Sequence, residues 1–280
     1  MSKKIKDMLI EYKKILKDNN FDTYYLDVEV LLMAVTNFNK TQLYLNSDYV
    51  LKEEEIKKFE NFFNRRLKNE PIAYIIGKCE FMGMDFLLNN HTLIPRPDTE
   101  ILVEKTIEII KEYKFKTVLD IGTGSGAIAI SLANYCNINI DALDVNDKAL
   151  DMAKKNAKLN NVKNINFIQS NIFENVTNKY DIIVSNPPYI KTEIIKTLET
   201  NVKDYEPMLA LDGGNSGLIF YEKITNNAFK YLNKNGYLLF EIGHDQAEEV
   251  KQIMEINNFC NITVLKDLSG LDRVVFGKIN

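Results

Sequence analysis

Thr117-Val118-Leu119-Asp120-Ile121-Gly122-Thr123-Gly124-Ser125-Gly126-Ala127 reads as a short buried strand that turns through alternating glycines into a helix. Glycine at every second position lets the chain turn sharply and lets a ligand approach the main chain closely. The helix that follows presents unpaired N–H groups, which favour a carboxylate or phosphate. About twenty residues on, a second strand ends in Asp144, placed to accept hydrogen bonds from both hydroxyls of a ribose. Together these point to a cofactor containing a nucleoside. They leave its identity open, because Gly122, Gly124, Ala127 and Asp144 would also suit NAD.

Strand and helix alternate beyond this stretch. Strands are expected at Thr117–Ile121, 138–144, 165–169, 180–185 and 237–242, with helices at 127–133, 148–159 and 218–232 between them. Two further strands, 262–265 and 273–277, are joined closely enough to be antiparallel. The pattern predicts an α/β fold: a doubly wound, mostly parallel, seven-stranded sheet of Rossmann-like type. In such sheets ligands bind beyond the carboxyl ends of the strands, where the strand order reverses.

The fourth strand, Asp181-Ile182-Ile183-Val184-Ser185, runs directly into Asn186-Pro187-Pro188-Tyr189. Two prolines have fixed φ and no N–H, so the Pro187 carbonyl can face a pocket without a competing donor beside it. The Asn186 amide adds a neutral acceptor and donor, and Tyr189 a flat aromatic face. These groups match a planar substituent bearing NH2. The nitrogen of an amide or a base amine is a weak nucleophile because its lone pair is delocalised. Neutral acceptors on both N–H bonds favour the positive charge that develops as it attacks, and they aim the lone pair. The natural electrophile is the methyl sulfonium of S-adenosylmethionine. An NAD enzyme would leave the Asn-Pro-Pro-Tyr segment without a task.

Upstream, apolar residues at helical spacing (Ile5, Met8, Leu9, Tyr12, Ile15, Leu16; Leu26, Val30, Leu31, Ala34; Ile56, Phe59, Phe62, Phe63) predict a helical region over residues 1–71. A linker over 72–95 is expected to contain short strands at Tyr74–Gly77 and around Glu80–Phe86, forming a β-hairpin. The methyltransferase-type unit then occupies 96–280. Pro95 and Pro97 force an extended path, after which Asp98 or Thr99 is expected to cap a helix reaching about Tyr113. Arg96, between the prolines, either lines the mouth of the site or pairs with Asp98 or Glu100 at the surface.

Composition bounds the rest. The chain has 280 residues, 45% hydrophobic and 26% charged, an ordinary globular balance. Its net charge of -4 speaks against a general polyanion binder, which would need a basic stripe. Cys79, Cys136 and Cys260 are odd in number and widely spaced, which suggests a reducing compartment. His91 and His244 are the only histidines, and no Cys/His cluster has zinc spacing. No stretch approaches the roughly 20 apolar residues needed to cross a bilayer, and the basic start lacks a signal-peptide core. A cytoplasmic location, no membrane and no stable nucleic-acid partner are therefore expected.

The sequence closely resembles the S-adenosylmethionine-dependent methyltransferases of peptide chain release factors (PrmC/HemK), a class I methyltransferase family. The resemblance covers nearly the whole chain. It rests on Asn186–Tyr189, Asp120–Gly126, Leu93–Glu100, Glu70-Pro71-Ile72-Ala73-Tyr74, and Glu206-Pro207 with Ala210-Leu211. It implies methylation of the side-chain amide nitrogen (N5) of the glutamine in a Gly-Gly-Gln loop, with S-adenosylhomocysteine as product. Gly122, Thr123, Gly124, Ser125, Gly126 and Asp144 would bind the cofactor. Asn186 would touch both cofactor and glutamine, Pro187, Pro188 and Tyr189 would frame the amide, and Arg96 would lie at the mouth. The N-terminal helices would help dock the release factor, and a monomer suits so bulky a substrate. Near the adenine, family members often carry an acidic and then an aromatic residue; here Asn171 and Ile172 stand there. The alternative is an adenine-N6 or other nucleic-acid amino methyltransferase, which shares Asn-Pro-Pro-Tyr but calls for a basic stripe and a base-flipping element. A degenerate, non-enzymatic adaptor would show a broken loop, and neither loop is broken.

Overall fold

The computed structural model describes residues 3–280. They form two compact units, one of residues up to Gly77 with Thr200–Tyr205, the other of Lys78–Glu199 with Glu206–Asn280.

The first unit contains helices α1 (Ile5–Asp18), α2 (Tyr24–Thr36), α3 (Lys40–Leu45), α4 (Glu53–Arg66) and α5 (Ile72–Ile76). The apolar stripes of α1, α2 and α4 meet in a core containing Leu16, Leu31 and Phe59, with the Tyr12 ring edge-on to Phe59 and Phe63. Glu29 is buried but paired with Lys13 Nζ at 2.7 Å and Lys40 Nζ at 3.2 Å, which keeps it charged against the cost of burial. α3 was not expected; its signal is a capping box, Asn39 with Gln42. Tyr74–Gly77 departs from the expected strand. Ile75 N donates to Pro71 O and Gly77 N to Ala73 O, so the segment is one helical turn. Pro71 opens it and Gly77 closes it at φ 79°, and these end signals outweigh the strand preference of its isoleucines.

The second unit opens with the antiparallel hairpin β1 (Lys78–Phe81) and β2 (Met84–Leu87), followed by α6 (Thr99–Tyr113). Then come β3 (Thr117–Ile121), α7 (Ala127–Tyr135), β4 (Asn139–Asp144), α8 (Asp147–Leu159), β5 (Ile165–Gln169) and β6 (Tyr180–Ser185). Short helices α9 (Thr192–Ile195) and α11 (Met208–Leu211) interrupt the next connection, and α10 (Thr200–Lys203) belongs to the first unit. α12 (Ile219–Tyr231), β7 (Leu232–Glu241), α13 (Ala247–Ile256), β8 (Cys260–Lys266) and β9 (Asp272–Lys278) complete it. β7 starts five residues before the expected Tyr237, where Leu232 pairs with Tyr180 ahead of an irregularity in the register.

The seven strands run in the order β5-β4-β3-β6-β7-β9-β8. All neighbours are parallel except β9, which is antiparallel to β7 and β8. Alternate residues feed two cores: Val118, Ile182, Val184 and Leu239 pack under α6 and α7, while Leu119, Ile183, Leu238 and Phe240 pack under α12 and α13. After β3 the chain moves outward through β4 to β5, then returns to the other side of β3 as β6. The order therefore reverses at β3, and the carboxyl ends of β3, β4 and β6 open onto one crevice.

Candidate active site

A cavity of about 360 Å3 lies at this reversal. Its wall includes Gly122, Thr123, Gly124 and Ser125 after β3, Asp144 at the end of β4, Asn171 and Ile172 after β5, and Asn186, Pro187 and Pro188 after β6. Arg96, Thr99 and His91 border it too, with Pro207, Leu209 and Ala210. Gly126 and Tyr189 are not part of this wall.

The glycine loop is shaped by backbone demands. Gly122, Gly124 and Gly126 have φ of 77°, 57° and 84°, values that side chains disfavour. A Cβ at Gly122 or Gly124 would meet nothing within 4 Å, so those two leave the crevice open. At Gly126 it would lie 2.8 Å from Ile130 Cδ1 and 3.1 Å from Ala153 Cβ, so this glycine serves packing of α7 on α8. Gly122 N and Thr123 N both donate to Leu143 O, which ties the loop to β4. Asn156, fully buried on α8, donates to Ser125 O at 2.9 Å and to Leu87 O at 3.0 Å, so it fastens both the loop and the hairpin.

Asp120 accepts from Thr123 Oγ1 at 2.6 Å, while its Oδ1 is buried with no partner. Burial pushes its carboxyl up to about 7, against the bond from Thr123. Asp144 is raised by burial as well; it accepts Gly124 N at 2.9 Å on Oδ2 and Asn146 N at 2.9 Å on Oδ1. Each oxygen keeps a lone pair for a hydroxyl. Asn171 Nδ2 donates to Glu174 Oε1 at 2.9 Å, which leaves its Oδ1 as a free acceptor. Ile172 sits at φ 53°, an unusual value for a β-branched residue, held by Ser170 Oγ donating to its carbonyl at 3.0 Å.

The Asn-Pro-Pro-Tyr loop is clamped from behind. Gly213 N donates to Ile190 O, and Ile190 N to Leu211 O. Gln246 Nε2 donates to Tyr189 O at 3.1 Å and to Gly217 O at 3.3 Å, while its Oε1 accepts from Gly243 N. The Tyr189 ring packs against the core under α12, and burial pushes its hydroxyl up to about 12. Asn186 Nδ2 donates to Thr99 Oγ1 at 3.3 Å.

Two expectations at this end are corrected. Neither Asp98 nor Thr99 caps α6: Asp98 is already helical in φ and ψ and faces Arg273 at 3.4 Å, and Thr99 turns to Asn186. Arg96 borders the cavity, but its partner is Glu206, not Asp98 or Glu100. Glu100 instead accepts from Met82 N at 2.7 Å. Glu206 is buried with one oxygen unpartnered, and burial raises its carboxyl despite the guanidinium. His244 is exposed. Thr99 at the cavity wall, and Gln246 and Gly213 behind the Asn-Pro-Pro-Tyr loop, were not expected from the sequence. A cluster of glycines at 213–217 and a polar run after a buried strand were the available signals.

A reversed parallel sheet with an antiparallel β9 insertion and a glycine loop opposite an acidic strand end defines a class I methyltransferase. Residues 97–214 match the methyltransferase small domain and residues 7–77 the PrmC N-terminal domain. A release factor glutamine methyltransferase of Clostridium acetobutylicum is 42% identical over 97% of this chain and 97% of its own. One of Fusobacterium nucleatum is 42% identical over 96% of this chain and 76% of its own. The chain belongs to the release factor glutamine methyltransferase family and is an S-adenosylmethionine-dependent protein methyltransferase. Among solved structures, the hMettl16 catalytic domain in complex with a MAT2A 3'UTR hairpin shares the fold at TM-score 0.59 and 17% identity, over 82% of this chain and 83% of that one. Among the described residues no helix is long and apolar enough to cross a membrane.

Proposed function

We propose that this protein methylates the side-chain amide nitrogen of the glutamine in the Gly-Gly-Gln loop of peptide chain release factors, within the cavity at β3, β4 and β6. The observation that carries the reading is the convergence of Gly122–Ser125, Asp144 and Asn186–Pro188 on one crevice. The open space over Gly122 and Gly124 and the lone pairs of Asp144 fit a nucleoside cofactor. The free Asn171 Oδ1 suits the adenine amine, with Ile172 against the ring.

S-adenosylmethionine would supply a methyl group on a sulfonium; the S–CH3 bond breaks as the N–CH3 bond forms, leaving S-adenosylhomocysteine, and the methylated nitrogen releases one N–H proton to solvent. The chain's own contribution is to hold the acceptor. Asn186 and the Pro187 carbonyl take the two amide hydrogens, which steadies the charge that develops on nitrogen. Proline at 187 and 188 keeps that backbone rigid, and Tyr189 frames the amide from behind. Arg96, held by Glu206, borders the mouth. Residues 1–71 are a docking domain for the release factor, joined through 72–95 to the catalytic unit 96–280, and the working form is a cytoplasmic monomer.

Nucleic-acid amino methylation is not favoured by the family. The test is to incubate the protein with methyl-labelled S-adenosylmethionine and either a release factor or adenine-containing DNA. Label is expected on the release-factor glutamine and absent when that glutamine is replaced. Label in the DNA alone overturns the proposal.

A further inference from the structure

Glu241 ends β7 beside Asn186, with 2% of its surface exposed, and makes none of the contacts proposed for methyl transfer. An unpaired carboxylate in such a place is costly. Its neighbours come from four elements. Thr99 and Asp98 lie at the start of α6, Asn186 and Tyr189 in the loop after β6, Arg273 on β9 and Tyr221 on α12. The Thr99 hydroxyl and the Asn186 amide lie close enough to the carboxylate to favour its charged form, and Arg273 adds its charge. Asp98 opposes it with like charge, and its Oε2 has no partner. Tyr221 gives its hydroxyl to the Glu241 carbonyl at 3.0 Å, which fixes the backbone there.

A carboxylate accepts hydrogen bonds and offers none, so the groups turned to it must present N–H or O–H. Thr99 Oγ1 accepts from Asn186 Nδ2 at 3.3 Å, which leaves its own proton free to turn to the nearby Glu241 carboxylate. With that proton turned to Glu241, the donors run in one sense, from the Asn186 amide toward Thr99 and the carboxylate behind it. We propose that Glu241 is a positioning residue that, through Thr99, turns the nitrogen of the Asn186 amide inward and its oxygen toward the substrate. Without that direction Asn186 can flip, and a flipped amide presents N–H to the substrate's N–H. The inference rests on the role proposed for Asn186.

Burial pushes the Glu241 carboxyl up to about 7, against the bond from Thr99 and the charge of Arg273. The protonated acid can itself donate to Thr99, which reverses the chain. Turnover at saturating substrates therefore falls as pH drops through about 7. Asp120 is raised to the same range, but it is fully buried outside the cavity wall, and Glu241→Gln tells the two apart.

The test uses the full chain with a purified release factor and labelled S-adenosylmethionine. Thr99→Val and Glu241→Gln are expected to lower kcat at pH 8 by about ten- to a hundredfold, the scale of a misplaced transition-state contact. S-adenosylhomocysteine affinity by calorimetry should change less than about threefold, which also shows that the variants fold. Thr99→Ser keeps the hydroxyl and should recover most of the rate, and the acid limb of kcat should vanish in Glu241→Gln. Unchanged kcat in both variants, or no recovery with Thr99→Ser, overturns the inference while label in the release factor leaves the function standing. A second readout needs no substrate: the Asn186 side-chain amide protons, followed by NMR, should titrate near pH 7 in the wild type and not in Glu241→Gln. A flat wild-type titration overturns the inference whatever the protein methylates.

Discussion

Gln246 Nε2 donates to the carbonyl of Tyr189 at 3.1 Å, so a side chain at the start of α13 holds the last residue of the Asn-Pro-Pro-Tyr loop. The same amide reaches Gly217 O and Gly243 N, which joins three loops at the carboxyl edge of the sheet. Gln246→Met keeps the volume and removes every one of these bonds. It leaves buried main-chain groups unpaired, and stability is expected to fall by about 1–3 kcal/mol. Turnover should fall with it, while S-adenosylhomocysteine affinity is expected to change little, because the Gly122–Ser125 loop lies on the other side of β6. Equal thermal midpoints and equal kcat for the two proteins would show that Gln246 holds nothing.

Asp144 has both oxygens committed to backbone N–H groups, one of them Gly124 N. It therefore shapes the glycine loop while keeping a lone pair on each oxygen for the ribose proposed there. Asp144→Ala is expected to weaken S-adenosylhomocysteine binding by about tenfold or more, since a hydrogen bond to a charged group contributes about 1.5–3 kcal/mol. Asp144→Asn should recover part of that loss, because one acceptor survives. Calorimetric titration decides, and unaltered affinity in Asp144→Ala would remove the residue from the site.

Much of this was legible in the sequence where a single short stretch carries both shape and chemistry. Thr117–Gly126 announced a strand and the turn into a helix together, because alternate glycines permit the positive φ that such a turn requires. Asn186–Tyr189 was equally plain, since its prolines restrict the backbone whatever surrounds it. Contacts between distant segments were not legible. Arg96 finds Glu206 rather than its near neighbours, and Thr99 serves Asn186 rather than its own helix end. Local rules favour a nearby partner and a cap; burial against another element overrides both. Tyr74–Ile76 failed for a different reason. Three residues of strand-forming character cannot be told from one helical turn unless the flanking Pro71 and Gly77 are weighed first.

Stability should depend on pH in a direction set by the buried acids. Asp120 and Glu241 are pushed up to about 7, and Asp144 and Glu206 are raised, all mainly by burial. Between their ordinary values and their raised ones the folded chain binds more protons than the unfolded chain, so folding is favoured as pH falls. Their contribution is full below the unfolded values and lost as pH rises through about 7. Glu29, Asp181 and Asp267 are lowered, and Asp48 falls to about 2, so these lose their stabilisation on acidification below the ordinary carboxylate range. The ligand-free protein should therefore melt higher at about pH 5.5 than at about pH 8.5, then lose stability steeply below about pH 4. Scanning calorimetry across that range checks it, and Glu241→Gln should flatten the upper part of the curve. A midpoint that climbs steadily to pH 8.5 would contradict the burial of these carboxyls.

Gly213 stands where the segment after α11 crosses the Asn-Pro-Pro-Tyr loop. A Cβ there would lie 2.8 Å from both the carbonyl carbon and the Cα of Tyr189, and 2.9 Å from Pro188 O. All three are main-chain atoms in a loop stiffened by two prolines, so they cannot swing aside as the tip of a side chain would. Gly213→Ala must therefore push the loop toward the crevice or away from it. Overpacking of this kind costs about 1–3 kcal/mol. The larger effect should be on turnover, because the transition-state contacts proposed for Asn186 and the Pro187 carbonyl require placement to within a fraction of an ångström. A loss of about tenfold or more in kcat is expected, with S-adenosylhomocysteine affinity largely kept because the Gly122–Ser125 loop is untouched. Gly122→Ala gives the opposite pattern: its Cβ meets nothing, but its φ of 77° strains any side chain, so cofactor affinity should suffer first. Measuring kcat and cofactor affinity for both variants separates the two loops. If Gly213→Ala turned over at the wild-type rate, the Asn-Pro-Pro-Tyr loop would have to be more yielding than its prolines allow.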